Sequence, residues 1–210
     1  VSMGFGYPLG VDLPGEKRGL IPNDKYYDKN YRGSWNGLTI ISIAIGQGEV
    51  TATPLQIANL GATIANRGYF ITPHVVKEIE DVPLDTLYTT KRYTKVQREH
   101  YETVVEGMRA AVTGGTCRAA NLPGLDVCGK TGTAQNRGKD HSAFMGFAPM
   151  NDPKIAVSVY VENGGWGATY GVPIGALIIE KYLKGELSAE SEMKAKDIQN
   201  RRIDYGIHER

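Results

Sequence analysis

Residues 124–136 read Gly-Leu-Asp-Val-Cys-Gly-Lys-Thr-Gly-Thr-Ala-Gln-Asn. The first eight fit G-x-x-x-x-G-K-[ST], a loop whose amides cradle phosphates. Residues 129–134 also form G-K-T-G-T-A, which suits an extended strand. A phosphate loop needs a strand before it and a helix starting at the Lys-Thr end, because the helix N-terminus helps neutralise the phosphates. Here Asn121-Leu122-Pro123 is a poor strand, Leu125–Cys128 has strand composition, and Gly132 and Gly138 stand where a helix should begin. The strand reading is therefore preferred, with Lys130 and Gly132 on one face and Thr131 and Thr133 on the other.

Such a strand fits acyl transfer at a peptide carboxylate end. A cation and hydroxyls hold the carboxylate, a glycine leaves the strand surface open, and a fixed backbone N–H stabilises an oxyanion. Lys-Thr-Gly alone is a weak signal, so the flanking elements matter. After Pro123-Gly124, strand-like segments run over 127–135, 143–148 and 155–162. The last two are joined by Pro149–Pro153, a connection typical of an antiparallel hairpin. An apolar helix near 172–183 follows and stops at Gly185.

Upstream, residues 1–22 are dense in glycine and proline and predict irregular backbone. An aromatic, polar stretch (Tyr26, Tyr27, Tyr31, Trp35) precedes the apolar run Leu38–Ile45, which ends in Gly46-Gln47-Gly48. Thr53-Pro54-Leu55-Gln56 is a capping box with proline at the first helical position. The helix it opens should end near Gly68 and, being rich in small residues, should lie inside. Residues 69–80 predict a short strand or hairpin, and 81–93 a polar loop. A second capping box, Thr94–Gln97, predicts a helix with Tyr101, Val104, Val105, Met108 and Val112 on one face, ending at Gly114-Gly115. Residues 186–210 read as a charged tail or loosely docked helix, distinct from a domain over 1–185.

The totals narrow the function. Lys+Arg number 24 against 23 Asp+Glu, so no broad positive field favours nucleic acid. No apolar run approaches the roughly 20 residues that span a bilayer. The four histidines are scattered, and the two cysteines, Cys117 and Cys128, lack zinc-ligand spacing, so neither a metal nor another cofactor is expected. The cysteines are either two reduced thiols or a disulfide closing a short loop. The chain opens on Val1 and reads as a piece of something longer.

With these residues in view, the sequence resembles the C-terminal part of the transpeptidase domain of class B penicillin-binding proteins, closest to the elongation type. The resemblance runs through G-V-D-L-P-G-E (10–16), I-G-Q-G-E-V-T-A-T-P-L-Q-I-A (45–58), A-N-R-G (65–68), G-G-T (114–116), G-K-T-G-T-A-Q (129–135) and F-M-G-F-A-P (144–149). It implies an α/β fold of the α+β type: part of a penicillin-binding protein/β-lactamase-like transpeptidase fold, with an antiparallel sheet flanked by helices. It further implies that Lys130 sets the site's electrostatics and that Thr131 and Thr133 contact a substrate or β-lactam carboxylate. Gly132 would keep the strand open, and the Thr133 N–H would serve the oxyanion. The implied partners are peptidoglycan stem peptides, β-lactam antibiotics and cell-wall elongation proteins, at the periplasmic face of a bacterial inner membrane, reached through an N-terminal anchor absent here.

The family also uses an earlier Ser-x-x-Lys and Ser-x-Asn. Ser191–Lys194 and Ser34–Asn36 match these patterns but read as decoys, one after Lys130 in a charged stretch, the other in an aromatic loop. The nucleophile is expected upstream of Val1. Ala143 stands where many relatives carry an aromatic residue, which implies a changed groove wall. With two strands of the family's five-stranded sheet expected to be missing, residues 155–162 should expose an edge through which the fragment self-associates or is stabilised by a partner segment. A noncatalytic peptidoglycan- or β-lactam-binding module is the alternative function, with the nucleotide-binding reading behind it.

Overall fold

In the computed structural model, which describes residues 1–205, carboxylates organise the glycine-rich opening. Glu16 accepts from the amides of Leu9, Gly10 and Val11 at 2.6, 2.9 and 3.2 Å. Asp12 accepts from those of Val75 and Val76 at 3.0 and 2.9 Å, and the Val76 bond is the main reason its carboxyl lies below the usual range. The aromatic stretch forms α1 (Asp24–Tyr31), capped by Asn23; Tyr27 and Tyr31 both donate to Glu49. Helix α2 (Gly37–Ile40) runs into a 3-10 turn over Ile41–Ile45. This leaves Leu38, Ile41 and Ile45 exposed at 78, 64 and 76%.

The capping box at Thr53 and Gln56 opens α3 (Pro54–Ala65), as its sequence requires. Gln56 is also a buried hub. Its Nε2 donates to the carbonyls of Tyr7 (3.3 Å) and Arg18 (3.1 Å), tying the irregular opening to the helix. The chain leaves the helix through Gly68 at φ +111, where any Cβ would meet the ring of Tyr101.

The expected strand over 69–80 is reduced to β1 (Tyr69–Phe70). Its partner, β2 (Arg92–Tyr93), comes from the stretch expected to be loop. Asp12 takes the Val75 and Val76 amides, so they make no ladder. The second capping box is a correction. The Thr94 amide bonds the Gly68 carbonyl at 2.9 Å, which keeps residues 92–94 extended beside β1, and the Thr94 hydroxyl meets the Tyr101 hydroxyl at 2.6 Å. Helix α4 (Glu99–Thr113) therefore starts later, with no side-chain cap. Tyr101, Val105, Met108 and Val112 are buried as expected, whereas Val104 is 45% exposed.

Strands β3 (Cys128–Ala134), β4 (His141–Ala148) and β5 (Ile155–Val161) form an antiparallel sheet in the order β3–β4–β5. Alternation sorts their side chains into two cores. Cys128, Phe147 and partly buried Met145 and Ala156 pack with Ile64, Ala65, Tyr101, Val105 and Met108 of α3 and α4. Phe144, Ala148, Val157 and Val159 pack on the other face with α5 (Gly171–Lys184), which ends at Gly185 in the left-handed conformation. The charged C-terminal segment forms α6 (Ala189–Asn200), docked on α5 with Ser191 buried beside Glu180. Residues 206–210, His208 among them, lie outside the described residues. Both cysteines are free and buried, so the disulfide alternative is not realised.

Replacing the buried hub, Gln56→Ala, should lower stability by about 1–3 kcal/mol, since it removes the buried side chain's hydrogen bonds to the Tyr7 and Arg18 carbonyls and to the Thr53 amide. A shift of the urea midpoint with an unchanged m-value would report it; an unchanged midpoint would show that the hub carries no weight.

Candidate active site

The strand that decided the fold is pinned first by its buried end. Val127 and Cys128 are fully buried, and Arg109 of α4 donates to the Val127 carbonyl at 3.0 Å. Gly129 is obligatory, because a Cβ there would lie 2.5 Å from the Phe144 ring. Register then sets Lys130 against Met145, Thr131 against Phe144, Gly132 against Ala143 and Thr133 against Ser142. Lys130 and Thr131 thus lie within a strand, and the next helix, α5, starts only at Gly171. The geometry a phosphate loop requires is not built.

Strand β3 pairs only with β4, so its other edge faces outward. Gln47, in the Gly46-Gln47-Gly48 turn, uses that edge: its Nε2 donates to the Thr133 carbonyl (2.9 Å) and its Oε1 accepts from the Gln135 amide (3.4 Å). In an antiparallel strand both backbone groups of a residue point to the same side. The Thr133 N–H therefore lies on this outer edge as well. The Lys130 ammonium is exposed and bonds the Thr131 carbonyl at 3.0 Å. The Thr131 hydroxyl lies 2.9 Å from that of Thr116, and the Thr133 hydroxyl accepts from the Gly167 amide at 3.4 Å.

The Gly164–Gly167 bend crosses the same face. Ser142 Oγ donates to the Trp166 carbonyl (2.8 Å) and accepts from the Gly171 amide (3.0 Å). A Cβ at Gly167 would press 2.6 Å from the Gly132 carbonyl, so glycine alone lets the bend lie this close. On the opposite face a Cβ at Gly132 would meet only the Ala143 methyl, at 3.2 Å. That face is open, and the small Ala143 side chain keeps it so.

The two serine patterns are occupied elsewhere. Asn36 caps α2, accepting from the Leu38 amide at 2.9 Å. Ser191 is buried in the α5–α6 junction, and Lys194 pairs with Glu190 at 2.7 Å. Both cysteines are electrostatically quiet: burial raises the Cys117 thiol and pushes Cys128 up to about 11, so both stay protonated near neutrality. Among the described residues, no three His, Cys, Asp or Glu side chains gather where they could hold a metal. Sequence reasoning had placed Gln47 and Thr116 inside recognisable motifs without giving them a role. Their contacts reach β3 across 86 and 15 residues, and no local pattern announces that.

Comparison with known proteins fits this arrangement. The penicillin binding protein transpeptidase domain matches residues 2–183. The chain is 36% identical over 187 residues to the peptidoglycan D,D-transpeptidase MrdA of Acinetobacter baumannii, covering 80% of this chain and 28% of that protein. It is 32% identical over 208 residues to the Haemophilus influenzae MrdA, covering 89% and 32%. It therefore spans about three-tenths of the length of these relatives. Among solved structures, Pseudomonas aeruginosa PBP2 in complex with WCK 5153 superposes with a TM-score of 0.75 at 36% identity, over 90% of this chain and 43% of that one. PBP2 of Helicobacter pylori in complex with MreC gives 0.75 at 28% identity, over 89% and 35%.

Removing the clip on the strand edge, Gln47→Ala, should speed amide exchange at Gln135 and lower stability by about 1 kcal/mol. Exchange at Gly129, held by packing, should stay unchanged. If Gln135 exchanges no faster, the clip is not formed in solution.

Proposed function

Because the chain belongs to the penicillin-binding protein transpeptidase family, we propose that it supplies the carboxylate-binding part of a peptidoglycan D,D-transpeptidase. The observation that carries this is the placement of Lys130–Thr133 on an edge strand whose outer side offers a backbone N–H beside two hydroxyls and an exposed ammonium. In this reading a serine from outside these residues attacks the penultimate carbonyl of a D-Ala-D-Ala stem peptide. The Thr133 N–H stabilises the oxyanion, terminal D-Ala leaves with a proton, and an amine of a neighbouring stem takes the acyl group. Thr131 and Thr133 hold the terminal carboxylate, Lys130 keeps the local field positive, and Gly132 leaves the strand surface open. A β-lactam carries a carboxylate and a reactive carbonyl and would acylate the same serine.

No helix among the described residues is long and apolar enough to cross a membrane. The location proposed for the full-length protein, the periplasmic face of the inner membrane with elongation-complex partners, rests on likeness to the relatives. MreC in the Helicobacter pylori complex is one such partner.

Labelled penicillin tests the reading. The full-length protein should be acylated, and Lys130→Ala or Thr131→Val should slow acylation roughly 10- to 100-fold, the loss of one charge-assisted hydrogen bond. Reversible binding without a covalent label would instead indicate the noncatalytic module. A label lost on Ser191→Ala would place the nucleophile in α6 and refute the assignment.

For the isolated chain we propose self-association through β5. This strand has one neighbour, and residues 155–161 contain no charge and no proline. Antiparallel pairing of two copies about Ser158 sets Lys154 against Glu162 at both ends, matching opposite charges. Light scattering should show a dimer that Ser158→Lys, which opposes two like charges at the centre, converts to monomer. A monomer at all concentrations would exclude the pairing.

A further inference from the structure

Thr116 is delivered to β3 by the turn that ends α4. The Cys117 amide bonds back to the Ala111 carbonyl at 2.9 Å, and a Cβ at Gly115 would lie 2.8 Å from the Ala111 backbone. Only glycine allows so tight a reversal. Cys117 is fully buried and anchors the turn, while Thr116 remains exposed with its hydroxyl 2.9 Å from that of Thr131.

Each hydroxyl has a single proton to donate. If Thr131 donates to Thr116, its proton is used internally and the hydroxyl offers a ligand only lone pairs. If Thr116 donates to Thr131, the Thr131 proton is left to point outward. A carboxylate only accepts hydrogen bonds, so it selects the second arrangement. A hydroxyl that accepts while it donates is also polarised into a better donor. We propose that Thr116 is a positioning residue, donating to Thr131 Oγ1 and so committing the Thr131 hydroxyl to a ligand carboxylate. The inference rests on reading β3 as the carboxylate-binding strand, and it adds a residue outside that strand to the recognition of the ligand's charged end.

The test compares two probes on the full-length protein carrying these residues: a penicillin with its free carboxylate and the methyl ester of the same penicillin. Thr116→Val keeps the shape of the side chain but removes the donor. It should slow acylation by the free acid about fivefold, the worth of one modest hydrogen bond, and leave the rate with the ester within about twofold. Thr116→Ser should restore the free-acid rate, and Thr116→Val combined with Thr131→Val should be no slower than Thr131→Val alone. Equal slowing with both probes would reduce Thr116 to a packing residue and overturn the proposal. So would no slowing at all, or a double variant slower than Thr131→Val by the full Thr116 effect. A wild-type protein that reacts with neither probe overturns the functional reading and this inference with it, a result distinct from equal slowing.

Discussion

The ring of Phe144 occupies space that three glycines leave empty. A Cβ at Gly129 on β3 or at Gly146 on β4 would lie 2.5 Å from ring atoms, and one at Gly175 on α5 would overlap the ring outright. The aromatic side chain is fully enclosed, and three elements meet on it. It sets how deeply α5 seats on the sheet, and it holds β3 at the register that brings Thr131 opposite Phe144. Close-packed interiors give little when volume is added, so this slot fixes the strand on which the site is built.

Much of this was legible because local chemistry and global packing agree. The capping box at Thr53 opens a helix since Pro54 and Gln56 both suit its first turn and nothing nearby competes for the Thr53 hydroxyl. The same pattern at Thr94 does not open one, because Gly68 claims its amide and Tyr101 its hydroxyl, partners that only the folded chain supplies. Helix α1 was hidden for a related reason. Its polar sequence shows no apolar face, and its tyrosines are drawn in by Glu49, 22 residues away from Tyr27. The charged segment after Gly185 reads equally as a tail or a loosely docked helix, and only the burial of Ser191 against α5 decides for the helix.

For the site, the strand and its two hydroxyl-bearing residues could be read directly, since alternation along an extended segment is a local rule. The groups that surround them could not. Gln47, Thr116 and Gly167 reach β3 from three separate stretches of chain, each through a turn that glycine makes possible. The relatives are about three times as long as this chain, and within it Asn36 of one serine pattern caps α2 while Ser191 of the other is buried.

The two ends of β3 are held by different kinds of force. At Cys128 and Gly129 the strand is gripped by buried apolar contacts and the Phe144 ring, which resist displacement steeply. At Thr133 it is held by hydrogen bonds of 2.9–3.4 Å to Gln47 and Gly167 in a partly exposed setting, where water can substitute for either partner. Mechanically the strand is a cantilever, clamped at its root and compliant at its tip. Lys130 sits near the clamp and Thr133 near the tip, so the backbone that carries the lysine stays fixed, while a Thr133 N–H acting in the proposed oxyanion role would have room to settle against groups of different size.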